Sequence, residues 1–156
     1  ARLKENLSRL DLKAECIVAD AAQWTPPAPA DVVVLDAPCS ATGTIRRHPD
    51  IPHGKTADDI ARLAETQGRL FAAAARMVAP GGLLLYCVCS LEAEEGAAQV
   101  ERFLAQHPSF RLEPARPLPG ADEFLTPEGV LRTLPCVWPE WGGLDGFFAA
   151  LLRRAA

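Results

Sequence analysis

Two cysteines, Cys39 and Cys89, each follow an apolar run, 32–35 for the first and 83–88 for the second. A thiolate is the strongest nucleophile a side chain offers, so two thiols delivered by two strand ends point to covalent chemistry on a small planar substrate. Cys39 stands in Asp36-Ala37-Pro38-Cys39-Ser40, where an acid and a turn-forming proline would fix it at the rim of a sheet. Taken alone, this setting makes Cys39 a candidate for the attacking thiol. The commonest fate of a free cysteine is as a small buried apolar residue. That reading suits Cys16 and Cys136, whereas the polar, turn-rich flanks of Cys39 and Cys89 set those two apart. Cys87-Val88-Cys89 invites a metal, but a strand alternates faces and no Cys-x-x-Cys or histidine pair completes a tetrahedral set. No metal site is expected.

The elements that must position these thiols alternate between strand and helix. Leu3, Leu7 and Leu10 have helical spacing, with no start signal before them. Residues 16–20 read as a short buried strand ending at Asp20, and the proline-rich stretch 26–29 as a loop. The run 32–35 lacks polar alternation, which suits a parallel strand covered on both faces and ending at Asp36. Thr56 with Asp59 resembles a capping pair, and Ile60, Leu63, Ala64, Phe71, Ala74 and Met77 share one helical face. Pro80-Gly81-Gly82 would stop that helix and lead into a second buried strand at 83–89. Strand, helix, strand is the parallel crossover unit. A helix over 92–106, a strand at 110–112, a loop around the prolines at 114, 117 and 119, and two late strands at 130–134 and 146–152 complete the pattern. The late strands would pair antiparallel at a sheet edge. The expected fold is α/β, a partial Rossmann-like, mostly parallel sheet in one domain. In such a sheet ligands bind beyond the carboxyl ends of the strands, where Asp20, Asp36, Cys39 and Cys89 are all expected.

Bulk properties agree with an ordinary globular domain. The 156 residues are 49% hydrophobic and 23% charged, and a chain of this size buries roughly 70% of its unfolded surface. No apolar run approaches the roughly 18 residues of a membrane span. The five cysteines, without a signal sequence, are expected as thiols in the cytoplasm. A net charge of -4 argues against a broad basic surface, so any nucleic-acid contact must come from a local patch, for which Arg46-Arg47-His48 is the candidate.

The segment Asp36-Ala37-Pro38-Cys39-Ser40-Ala41-Thr42-Gly43-Thr44-Ile45-Arg46-Arg47-His48-Pro49-Asp50-Ile51 closely resembles the bacterial Sun (Fmu) branch of the RsmB/NOP family. The likeness continues through Pro80-Gly81-Gly82, Tyr86-Cys87-Val88-Cys89-Ser90 and Glu94-Glu95, and ends in Asp145-Gly146-Phe147-Phe148-Ala149. These are S-adenosylmethionine-dependent RNA 5-cytosine methyltransferases, acting in this branch on small-subunit ribosomal RNA. The resemblance implies that Cys89 attacks C6 of the cytosine and that Cys39 helps resolve the adduct. Asp36 would bind the cytosine amino edge or the cofactor, Pro38 would line the cofactor, and Asp20 would lie near its adenosine end. Arg46 and Arg47 would hold RNA beside an unstacked base.

Several positions depart from the family pattern. Val88 replaces a usual threonine, Gly96 a usual asparagine, and Pro52-His53-Gly54-Lys55 stands where a basic, aromatic stretch is common. The glycine-rich cofactor loop and the region resembling the antitermination factor NusB would precede residue 1. The expectation is therefore a C-terminal part of the catalytic domain, lacking the first two strands and inactive alone. Its exposed sheet edges could support a dimer.

Overall fold

The computed structural model describes residues 2–116, 119–120 and 122–156. Helix α1 (Arg2–Arg9) is followed by β1 (Ala30–Asp36), a short α2 (Ile51–Gly54) and the long α3 (Ala57–Met77). Then come β2 (Val78–Val88), α4 (Ala97–Gln106), β3 (Phe110–Leu112), β4 (Leu131–Thr133) and β5 (Phe147–Arg154). The sheet order is β1-β2-β5-β3, with β4 also paired to β5. Strands β1 and β2 are parallel, joined by α3 as the crossover, so the expected unit forms. All pairs involving β5 are antiparallel.

Helix α3 begins at a complete capping box. Thr56 accepts from the Asp59 backbone N–H, and Asp59 accepts from the Thr56 backbone N–H. Its buried face carries Ala64, Gln67, Phe71, Ala74 and Ala75, the three- and four-residue spacing of one helical stripe. Phe71 stacks on Tyr86 of β2 at 4.5 Å and on Phe103 of α4 at 4.0 Å between ring centres. This aromatic column joins both helices to one face of the sheet, where Leu84, Tyr86, Val88, Ala150 and Leu152 are buried.

Three expectations about the strands are corrected. Residues 16–20 form no strand and are mostly exposed, and no strand among the described residues pairs with them. Strand β1 is not covered on both faces: Val32 and Val34 are 56% and 61% exposed, because the helices pack only on the opposite face. The second strand starts at Val78 rather than 83. Pro80-Gly81-Gly82 lies inside it as an irregularity, marked by the register shift between the Ala30–Val78 and Val32–Leu83 pairs. A Cβ on Gly82 would stand 2.9 Å from Ala79 O and 2.9 Å from Asp31 O, so the close strand approach requires glycine. The late strands β4 and β5 pair antiparallel as expected, with the edge position taken by β4 and not by β5. Strand β5 lies between β2 and the end-to-end pair β3 and β4, because an eight-residue strand can serve two three-residue partners along one side.

The helix expected over 92–106 begins only at Ala97, after a tight turn at 93–96. Pro114 and Pro119 lie outside regular structure, and Pro117 is outside the described residues. No helix among the described residues is long and apolar enough to cross a membrane.

Candidate active site

Asp36 ends β1, and Cys39 follows in a loop that turns back across the end of β2. The loop is stitched to the second strand by backbone bonds: Ala37 N–H donates to Cys87 O at 3.0 Å, and Gly43 N–H donates to Cys89 O at 3.1 Å. Gly146 N–H, just before β5, donates in turn to Gly43 O at 2.7 Å. Cys39 Sγ and Cys89 Sγ therefore stand 3.5 Å apart, both partly exposed. The two thiols separated by fifty positions in the chain meet at one point.

Burial above all, with the neighbouring Cys89 side chain adding to it, pushes the Cys39 thiol up to about 12 against the opposing hydrogen bonds of the Ala41 and Cys89 backbone. Cys39 thus keeps its proton at neutral pH. Cys87 points away from the pair, as strand alternation requires. Its Sγ meets Leu35 O at 3.6 Å and Asp36 Oδ1 at 3.9 Å, and burial beside that carboxylate raises it to about 11.

Behind the thiols lies a buried polar cluster that sequence reasoning did not single out. Glu95 is fully buried. Its Oε1 accepts from Ser40 N–H at 2.9 Å and from Gln67 Nε2 at 2.9 Å, while Oε2 accepts from the hydroxyls of both Ser40 and Ser90. Gln67 also donates to Pro38 O at 3.0 Å. Tyr86 Oη donates to the Glu95 carbonyl at 2.6 Å. Gln67 had one legible signal, a polar side chain on the apolar stripe of α3 between Ala64 and Phe71.

The remaining candidates are distributed as follows. Asp36 and Pro38 are exposed at the carboxyl end of β1. An anionic group and an apolar ring there suit a cationic, ribose-bearing cofactor, so these two residues fit S-adenosylmethionine. Asp20 is not at a strand end. Its carboxylate accepts from Ala22 N–H at 3.0 Å and from Gln23 Nε2 at 2.8 Å, which closes its own turn. Arg46 and Arg47 are exposed and converge on one acid: Arg47 Nε donates to Asp145 Oδ2 at 2.8 Å, and Arg46 Nη2 lies 3.5 Å from Oδ1.

The crossover sheet, with polar loops at the carboxyl ends of its parallel strands, is a Rossmann-like α/β methyltransferase fold. Solved structures agree. NSun6 from Pyrococcus horikoshii, determined with SFG, superposes with a TM-score of 0.78 at 27% identity, covering 99% of this chain and 38% of that one. A methyltransferase homolog protein from the same organism gives 0.71 at 30% identity, covering 98% and 50%. The chain belongs to the 16S rRNA methyltransferase RsmB/F family, whose pattern matches residues 1–153. Ribosomal RNA small subunit methyltransferase B of Vibrio cholerae is 47% identical over 98% of this chain. The chain spans about a third of the length of the curated relatives it matches.

Proposed function

We propose that this chain carries the reacting thiols of an S-adenosylmethionine-dependent methyltransferase that modifies C5 of a cytosine in small-subunit ribosomal RNA. The carrying observation is the 3.5 Å approach of Cys39 Sγ to Cys89 Sγ at the ends of adjacent parallel strands. Cys89 is the nucleophile. Its thiolate forms a bond to C6 of the base, and the displaced electron pair makes C5 nucleophilic. S-adenosylmethionine supplies the electrophilic methyl group when bound, held in part by Asp36 and Pro38. Asp20 would reach its adenosine end only by giving up its turn bonds.

Release requires transfer of the C5 proton to water, the C5–H pair re-forming the C5–C6 double bond while the C6–S bond breaks and its pair returns to Cys89. A sulfur leaves more readily when a donor meets the developing charge. Cys39 meets that need, because its raised pKa keeps it protonated at hydrogen-bond distance from the departing sulfur. Arg46 and Arg47 take the RNA backbone beside the flipped base, exchanging Asp145 for phosphate.

The test is covalent trapping by RNA containing 5-fluorocytosine, using the longer enzyme that includes this chain. The adduct is expected to survive Cys39→Ala and to vanish with Cys89→Ala. A persistent adduct in Cys89→Ala would sink the assignment.

A further inference from the structure

We propose that Glu95 is a positioning residue that sets the separation of the two reacting thiols. The proposal rests on the reading of Cys39 and Cys89 as the working pair, but its geometry is independent of that reading. Ser40 follows Cys39 and Ser90 follows Cys89 in the chain. One carboxylate oxygen of Glu95 accepts from both serine hydroxyls, and the two hydroxyls themselves lie 3.1 Å apart. The other oxygen accepts from the Ser40 backbone. A single buried side chain thus ties together the two residues that carry the thiols forward.

Three features make this a clamp rather than a satisfied core acid. All four partners donate, so the group must act as an acceptor at both oxygens, which a carboxylate can do and an amide cannot. Glu95 is itself held from two sides, by Gln67 of α3 and by Tyr86 of β2, so its position is fixed by the packed layer and not by the loops. Next to Ser40, Ala41 has a left-handed backbone, φ 60°, which a non-glycine residue adopts only where the surroundings enforce it. The bonds to Ser40 supply that enforcement and aim the Cys39 loop at Cys89.

The separation can be read without RNA or cofactor, because phenylarsine oxide is captured by two thiols close enough to share one arsenic. The wild-type chain is expected to bind it tightly, and Cys39→Ala to abolish that binding. Glu95→Gln places an amide N–H against donors and is expected to weaken capture at least tenfold while the far-ultraviolet circular dichroism keeps its folded form. Ser40→Ala with Ser90→Ala leaves the carboxylate but removes the two hydroxyl ties, and is expected to weaken capture by a smaller factor in a chain that keeps its core. Should Glu95→Gln fail to fold, the double serine variant decides. Undiminished capture in the folded Glu95→Gln chain, or in the double variant when it must decide, overturns the clamp. Methylation by the longer enzyme is measured in parallel. Weakened capture with unchanged methyl transfer would uphold the clamp and overturn the thiol mechanism instead.

Discussion

Replacing Gly43 by alanine puts a methyl group where two chain segments touch. The added Cβ would stand 2.0 Å from Gly146 O and 2.6 Å from Gly146 C, both backbone atoms that cannot rotate aside. To restore an ordinary contact of 3.4 Å the segments must part by about 1.4 Å. That movement breaks the Gly146 N–H bond to Gly43 O and strains the Gly43 N–H bond to Cys89 O. Two backbone bonds at about 0.5–1.5 kcal/mol each, with about 1–3 kcal/mol for overpacking, make the expected loss about 2–6 kcal/mol. A domain of this length loses about 2–4 °C per kcal/mol, so the midpoint should fall by about 4–24 °C. Thermal unfolding followed by circular dichroism measures it. A midpoint within 2 °C of wild type would show that the segments yield at no cost, and the close approach would then have no part in fixing the Cys89 loop.

Cys136 is exposed, whereas burial raises the thiol of Cys39 to about 12, so iodoacetamide at pH 8 should label Cys136 first. Labelling of Cys39 should rise with pH toward 12, and Cys89→Ala should move that rise to lower pH, since Cys89 is one of the groups that raises it; equal rates for Cys39 and Cys136 at pH 8, by peptide mass mapping, would contradict this. In the longer enzyme, Arg47→Ala should lower the slope of log affinity against log salt for single-stranded RNA by about 0.7, the value for one lost phosphate contact. An unchanged slope in filter binding would remove Arg47 from the RNA surface.

The sequence displayed the crossover unit because its signals are local: a capping pair at Thr56 and Asp59, a single apolar stripe on α3, and β-branched or leucine-rich runs on either side of it. It misplaced the boundaries where tertiary pairing overrides local chemistry. Proline and two glycines ordinarily interrupt a strand, yet at 80–82 the neighbouring β1 backbone continues past them and the strand absorbs the irregularity. The run 16–20 has strand-forming residues but no partner strand among the described residues, so it stays irregular. The thiol pair was legible from two strand ends and a long motif. The carboxylate behind it was not, because Glu95 reads as one acid of a pair near a helix start, and nothing in its spacing reveals that it is fully buried against residues from α3, β2 and the Cys39 loop. Likewise, Arg46 and Arg47 were visible as a basic patch, but their shared acid lies roughly a hundred positions away, which no local pattern reports.

The two thiols ride on strands of unequal support. Strand β2 is paired on both sides and buried at its carboxyl end, whereas β1 has one partner among the described strands and an exposed face. Local opening costs least where backbone pairing is one-sided. In this chain taken by itself, the Cys39 side therefore opens at lower cost than the Cys89 side, and hydrogen exchange of the β1 amides is expected to run ahead of that of the β2 amides.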